Sequence, residues 1–312
     1  MEKFVDYYSE QDLINNYMFV IKYRKLFLSL SALMVAGGIM LVSVFGLNLG
    51  IDFTGGSLAE ISYPDGRPEI VEINNALEEA GYDFVTVLPT EELGIFVKSR
   101  DLKEVERVGI FEALTLGGEY TTEEISFTSI GPSLGKELAR KATWALIIVA
   151  LAIILFVAYA FRHVSKPVSS WRYGFIAVVA LVHDVVLTSG VFVLISQFTG
   201  ATADSLFVVA LLTVLGLSVN DTIVVFDRVR ENLRGKKVGD FGVVVGNSLK
   251  QTITRSINTS ISTIIVLLAL FFFGPASIQT FALTLAFGML FGTYSSIFLA
   301  SPLLVMMQKK ED

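Results

Sequence analysis

The sequence predicts an α-helical polytopic membrane protein with six transmembrane helices. It places one extracytoplasmic α+β domain, of the ferredoxin-like βαββαβ kind, between helices 1 and 2. Three observations carry this. First, 53% of the 312 residues are hydrophobic and the mean hydropathy is +0.64, more apolar than an ordinary soluble domain of this size. Second, the apolar residues gather into six runs, near 26–47, 143–161, 173–195, 206–226, 257–273 and 279–307. A helical run of about 20 apolar residues crosses a hydrocarbon core of roughly 30 Å. The runs are continuous rather than alternating, which excludes a transmembrane barrel. Third, charge is segregated: residues 51–135 hold 17 acids against 5 Lys/Arg, a net of −12, whereas the whole chain has a net charge of −6. An acidic domain is set into a basic membrane frame, and so acidic a domain argues against nucleic-acid binding.

The elements follow in order. Run one is too long for the h-region of a signal peptide, and Phe45-Gly46-Leu47 is no A-x-A exit, so it reads as a retained anchor. "SLAEISY" (57–63) alternates as a strand does. "EIVEINNALEEAG" (69–81) places Ile70, Ile73, Ala76, Leu77 and Ala80 on one helical face, with Gly81 as the stop. "DFVTVLP" (83–89) and "GIFVKSR" (94–100) form a strand pair around Glu91-Glu92. "LKEVERVGIFEAL" (102–114) is a second helix and "EEISFTSIG" (123–131) a last strand. That order is ferredoxin-like, a fold that names no function. In the third loop, "FGVVVGNSLKQTITRSI" reads as an amphipathic segment along the inner surface, leading into span five.

Short loops set the orientation. Arg162, Lys166 and Arg172 follow span two; Arg228, Arg230, Arg234, Lys236, Lys237 and Lys250 follow span four; Lys22, Arg24, Lys25, Lys309 and Lys310 flank the ends. The turns near 196–205 and 274–278 carry no Lys or Arg. The positive-inside rule then puts both termini in the cytoplasm. The expected organisation is a cytoplasmic segment 1–25, transmembrane helix 1 over 26–47, and an extracytoplasmic domain with its joints over 48–142. A five-helix membrane domain over 143–312 follows, with a cytoplasmic loop 227–254 and a cytoplasmic tail. Lys136, Arg140 and Lys141 fall outside against the trend, which long exported loops obey weakly.

Ionisable groups inside a bilayer cost about 2.5–3.5 kcal/mol each on insertion scales, so they mark function or a satisfied contact. Three stand out: Asp184 in "LVHDVVLTSG", Asp221 in "SVNDTIVV" and Arg255 in "TITRSINTS". At 1.5 Å per residue, Asp184 lies roughly 16 Å in from the cytoplasmic face, Asp221 roughly 22 Å and Arg255 roughly 27 Å from the outer face. Asp221 and Arg255 thus differ by about 5 Å in depth, within reach of an extended guanidinium. His183 adjoins Asp184, and Asn220 adjoins Asp221. The plainer alternatives are snorkelling for Arg255 and a packing hydrogen bond to Ser or Thr for Asp184. Asp221 resists the plain reading most, because apolar residues continue past it for more than a turn. Asp227, Arg228, Arg230, Glu231 and Asn232, after span four, suit a solvated stretch of ion pairs.

"GIDFTGGSL" (50–58) is no phosphate loop, because it lacks the Gly-Lys-Ser/Thr ending and a strand follows it. Gly55 and Gly56 allow a tight bend there. In "GPSLGKEL" (131–138), Gly131 can turn and Pro132 can start a helix. Both stretches stand where a moving outer domain would need joints, or where a plain connector would do. Two histidines, no cysteine and no H-E-x-x-H leave no catalytic or metal constellation, and Asp221 lacks the Gly-x-Gly of intramembrane aspartyl proteases. No enzyme activity, metal or cofactor is expected.

Taken together, "GIDFTGGSL", "GPSLGKEL", "HDVVLTSGVF", "LGLSVNDTIVVFDRVREN" and "RSINTSISTIIVLL" resemble the SecF side of the SecD/SecF protein-export family, over nearly the whole chain. The resemblance implies a pseudo-symmetric twelve-span complex with SecD, similar to RND-superfamily transporters, in the bacterial cytoplasmic membrane. It implies association with SecYEG and work on translocating preprotein, driven by the proton-motive force with no other cofactor. It also implies that Asp221 and Arg255 serve proton passage. Depth and adjacency, not the resemblance, add Asp184 and Asn220 to that pathway, with Asp184 ranked below Asp221 as a relay or a packing hydrogen bond. Leu217 departs from the family's usual Tyr in "GYSVND". The rival readings are half of an RND-like small-molecule exporter, which would need an apolar pocket in the outer domain, and a purely structural scaffold for SecD.

Overall fold

The computed structural model describes residues 19–90, 93–162, 168–233 and 241–308. It divides into two compact units: 1–46 with 145–195 and 207–312, and 47–144 with 196–206.

The second unit is the α+β domain. A helical turn, Ile51–Thr54, leads into strand β1, Gly56–Ser62. Helix Ile70–Glu79, β2 (Thr86–Pro89), β3 (Gly94–Ser99), helix Glu104–Leu114 and β4 (Glu123–Ile130) follow. All neighbouring strands are antiparallel, in the order β2-β3-β1-β4. One face of the sheet, with Ala59, Ile61, Val87, Ile95 and Val97, packs on Ile73 and Leu77 of one helix and Ile110 and Leu114 of the other. Alternation in the strands and the 3,4 spacing in the helices put these residues on facing surfaces. Just beyond β1, Tyr63 is fully buried and donates to the Leu114 carbonyl at 3.0 Å, and burial pushes its phenol up to about 12.

The predicted strand at 83–89 starts only at Thr86. The Val85 amide still bonds back to the Tyr82 carbonyl at 3.1 Å, so the chain is turning there. Glu91 and Glu92 lie outside the described residues. The stretch 196–206, expected as a bare turn, is tied to the start of the domain. The Ala203 amide donates to Asn48 O at 2.7 Å, the Gly50 amide to Ala203 O at 2.8 Å, and the Ser205 amide to Asp52 Oδ2 at 2.8 Å.

The first unit is the helix bundle. We number its helices in chain order as α1, Arg24–Phe45; α2, Pro132–Ala160, whose apolar part belongs here; α3, Ser170–Thr199; α4, Ser205–Leu233; α5, Phe241–Phe273; and α6, Ala276–Ser295. A π-helical stretch, Ser296–Ala300, and a last helix, α7, Ser301–Met306, complete the sixth run. Among the described residues, six helices are long and apolar enough to cross a membrane. Half or more of the apolar windows of α3, α4 and the sixth run is buried, against 11% and 6% for α1 and α2. The inner bundle is therefore α3, α4 and α6.

Two features differ from expectation. The loop 227–254 is helical at both ends: α4 continues through Leu233 and α5 begins at Phe241 as one 33-residue helix, so no separate surface segment precedes span five. Asp227–Arg230 (2.5 Å) and Arg228–Glu231 (2.8 Å) pair one turn apart and carry α4 past the apolar run. The sixth run widens at Ser296–Ala300 because Pro302 has no amide to give the preceding turn. Ser301 Oγ instead reaches back five residues to the Ser296 carbonyl at 2.9 Å.

Close helix approaches rest on glycine. A Cβ on Gly190 of α3 would lie 3.0 Å from the Gly38 Cα of α1. A Cβ on Gly292 of α6 would lie 2.9 Å from the Ser218 Cβ of α4. Gly190→Val is expected to push α1 off α3 and cost about 1–3 kcal/mol, the usual cost of overpacking. Thermal unfolding of the purified full chain, compared with wild type, measures it.

Candidate functional site

Asp184 stands at the centre of the bundle, with 0% of its surface exposed. Its neighbour His183 brings Nδ1 to 2.8 Å from Oδ1. On the other side, Ser218 of α4 donates to Oδ2 in a short hydrogen bond, and Ser295 of α6 donates to the same oxygen at 2.8 Å. The His183 ring stacks on Tyr294 of α6, centroids 5.8 Å apart and 14° from parallel, and the Tyr294 hydroxyl lies 3.2 Å from that of Ser31 on α1. One carboxyl thus joins α3, α4 and α6, and the chain of contacts extends to α1. The sequence reading singled out Asp184 and its neighbour but missed Ser218, Ser295, Tyr294 and Ser31. A signal was present in Tyr294-Ser295-Ser296, a polar triplet inside the otherwise apolar sixth run.

Asp221 is three residues beyond Ser218 on α4 and 9% exposed. Its carboxyl faces the buried hydroxyl of Ser256 on α5, and the charge of Arg255 reaches it. The two form no ion-pair contact among the described residues; Arg255 and Asn220 are exposed in the isolated chain. Asp184 is therefore gripped by several donors, whereas Asp221 has one hydroxyl and a more distant cation. Next to Asp221, the Thr222 hydroxyl is buried without a hydrogen-bonding partner.

Farther along α4, Asp227, Arg228, Arg230 and Glu231 form the two ion pairs already given. Asn232 donates from Nδ2 to Ser248 Oγ at 2.9 Å and to Gln251 Oε1 at 3.2 Å, joining the end of α4 to the start of α5. Phe226 packs edge-on against Phe161 and Tyr173, which stack 5.1 Å apart.

In the α+β domain, Gly55 and Gly56 both have positive φ, +78° and +133°. A Cβ on Gly55 would lie 2.7 Å from the Pro132 Cα, and one on Gly56 2.5 Å from the Ser99 carbonyl oxygen. Gly135 in turn abuts the backbone of Phe53 and Gly55. The two glycine-bearing stretches are packed on each other, Pro132 opens α2, and Gly131 has open space around its Cβ position.

No group of His, Cys, Asp or Glu suited to a metal ion occurs among the described residues. A cleft of about 430 Å³ in the α+β domain is lined by Lys98, Arg100, Asn48, Ser99 and Thr202 as well as Phe84 and Leu88. That lining mixes cationic and polar groups with apolar ones.

Comparison with known proteins bears on these positions. Residues 112–310 match the family described as protein export membrane protein SecD/SecF, C-terminal, and residues 41–63 match the SecD/SecF GG motif. The protein translocase subunit SecF of Thermobaculum terrenum is 41% identical over 305 residues, covering 94% of both chains. That of Synechocystis is 34% identical, covering 87% of this chain and 90% of its own. The crystal structure of SecDF from Thermus thermophilus, titled a translocon-associated membrane protein, matches 92% of this chain and 38% of its own, with a TM-score of 0.80 and 30% identity. The remaining length of that longer chain has no counterpart here. With the GG motif folded against Pro132 and "SVND" set inside the bundle, the chain belongs to the SecD/SecF family of protein-export membrane proteins, among the SecF subunits.

Proposed function

We propose that the protein is an accessory subunit of the Sec preprotein translocase that, together with SecD, uses the proton-motive force to promote late translocation and release of exported proteins through SecYEG. The observation that carries this is Asp221: a carboxyl nine-tenths buried inside an apolar helix, held by few partners, with Arg255 on the facing helix. Burial favours the neutral acid and a nearby guanidinium favours the carboxylate. A group pulled both ways binds and releases protons as its surroundings change. The membrane potential supplies about 2.3 kcal/mol per charge per 100 mV, so a few protons per cycle suffice to drive a conformational step. Asn220 and Asp184 flank this path; Gly55, Gly56, Gly131 and Pro132 serve as the joint of the outer domain.

Partnership with SecD has two supports. The SecDF of Brucella abortus is 34% identical, with this chain covering 36% of it, so the two partners occur there as one polypeptide. The outer helices α1 and α2 also leave Met40, Val44, Leu151 and Leu155 exposed, surface available to a second subunit and to lipid. The protein sits in the bacterial cytoplasmic membrane with both termini inside, and the proton gradient is its only energy source.

Three experiments test this. In vesicles carrying SecD and SecYEG, Asp221→Asn is expected to fold and to bind SecD but to lose the gradient-dependent part of preprotein release. Asp221→Glu keeps part of it, because it still titrates, and Arg255→Ala loses it. Gradient-driven release by Asp221→Asn at the wild-type rate would remove the carrier. Gly55→Val sets a β-branched residue at φ +78° against Pro132 and is expected to slow export several-fold while SecD still copurifies. Full export by that variant reduces the glycines to connectors. The chain has no cysteine, so single introduced cysteines report topology. Asp240→Cys should resist an impermeant thiol reagent added outside intact cells, and its labelling would reverse the orientation.

A further inference from the structure

The reading of Asp221 as carrier, on which this inference rests, gives no work to His183. Its ring is 2% exposed, its Nδ1 faces Asp184, and its Nε2 is buried with no hydrogen-bonding partner among the described residues. Across the carboxyl, Oδ2 receives Ser218 and Ser295. The Ser295 hydroxyl also lies 3.1 Å from the Gly292 carbonyl oxygen, so it can turn and give its hydrogen there instead. Among the described residues, no Lys or Arg forms an ion pair with Asp184. From α4 comes Ser218, from α6 Ser295 and the phenol of Tyr294, and from α1 only Ser31, through Tyr294. Asp221 is three residues beyond Ser218 on α4.

A carboxylate beside a neutral imidazole would leave one uncompensated negative charge at this buried position, which is strongly disfavoured. A single added proton removes it, and the contacts provide two places to keep that proton. With the proton on Nε2, the pair is imidazolium and carboxylate, and both serines donate to Oδ2. With the proton on Oδ2, the pair is neutral imidazole and carboxylic acid; Ser295 accepts the acid's hydrogen and gives its own to Gly292 O. Both forms are neutral as a pair and contain the same number of protons.

We infer that the His183–Asp184 couple is a second proton-binding site, holding one proton shared between His183 Nε2 and Asp184 Oδ2, and that it stands in series with Asp221. Loss of the proton from Oδ2 and uptake of another at Nε2 returns the couple to its starting charge. Ser218 is the link, because its hydroxyl bonds Oδ2 from the helical turn that precedes Asp221.

The test uses the full-length chain in lipid nanodiscs. The sequence holds two histidines, so His163→Gln leaves His183 as the sole imidazole. Nitrogen-15 histidine and carbon-13 aspartate signals are followed by NMR from acid to alkaline pH, with the Asp184 carboxyl assigned by its loss in Asp184→Asn. The expected result at neutral pH is imidazolium with carboxylate, neutral imidazole with carboxylic acid, or both in exchange, with Ser295→Ala shifting the balance to imidazolium. A neutral imidazole beside an ionised Asp184, or a ring titrating near an ordinary histidine value of about 6.5, overturns the inference. The histidine signal of the His163→Gln chain needs no change at the couple, so the protonation state of the His183 ring is read even where Asp184→Asn fails to fold.

In vesicles with SecD and SecYEG, His183→Gln is expected to lower gradient-dependent release several-fold and to shift its pH profile. A wild-type rate and profile in His183→Gln, alongside loss in Asp221→Asn, removes the second site and leaves the carrier reading standing. Retention of gradient-driven release by Asp221→Asn removes the carrier reading, and the NMR result then still decides whether the couple shares a proton.

Discussion

A carboxyl inside an apolar helix bundle must have its oxygens occupied, and the inner bundle is arranged around that requirement at Asp184. Satisfying it takes a serine from α4 and a serine from α6 at one oxygen and an imidazole at the other. Helices bring serines that close only when their backbones approach, and glycine permits the approach. Gly292 faces Ser218, and Gly288 has Val214 against it one turn away. A side chain at Gly292 would push α6 off α4 and carry Ser295 out of reach of the carboxyl. The rotation of three helices about their axes is thus set by polar contacts, while the apolar residues around them fill space. This matches what is expected in a membrane, where burial of apolar surface gives little preference for one helix pairing over another.

Asp221 lies on α4, one turn beyond Ser218, and is treated differently. Asp184 is held by a short bond, two bonds of 2.8 Å and complete burial, whereas Asp221 faces one serine and feels an arginine that does not contact it. Asp184 keeps its serine and imidazole partners in either form of the couple, whereas a carboxyl with a single hydroxyl changes state as a neighbour moves. The Asp227 and Arg228 pairs beyond it keep α4 helical past the apolar run, and Asn232 ties that end to α5. Asn232 thus joins α4, which carries Ser218 and Asp221, to α5, which carries Arg255.

Much of this was legible in the sequence. Continuous apolar runs gave the spans, because length and hydropathy are properties of the segment itself. Alternation at 57–63 and the Ile73, Leu77 spacing gave the domain core for the same reason. Asp184 and Asp221 stood out because a carboxylate in an apolar run is anomalous without reference to any other segment. What could not be read were the partners. Ser218 and Ser295 look like ordinary small residues until α4 and α6 are docked, and no periodicity announces that docking. The pairing of 196–206 with Asn48 and Gly50 is likewise a contact between distant stretches, one expected as a turn and the other as a connector. The charges after span four suggested a solvated stretch, whereas charges spaced by three residues also support a helix; the helical spacing over 241–257 was legible, but its unbroken run into span five was not.

The glycine-rich stretches show how a contact changes the meaning of a motif. Read one at a time, Gly55-Gly56 and Gly131-Pro132 are two flexible connectors. In the fold they are a single packed element. Gly55 lacks a Cβ because Pro132 fills that place, Gly56 because the Ser99 carbonyl does, and Gly135 fits over the backbone of Phe53 and Gly55. Positive φ at both glycines shows that the bend is specified rather than merely allowed. A side chain at Gly55 cannot be placed without displacing Pro132, the first residue of a 29-residue helix. A chain that needed only slack would not require this fit, since any polar linker supplies slack. The fit makes sense where a change at one strand end must be carried into one helix start without loss.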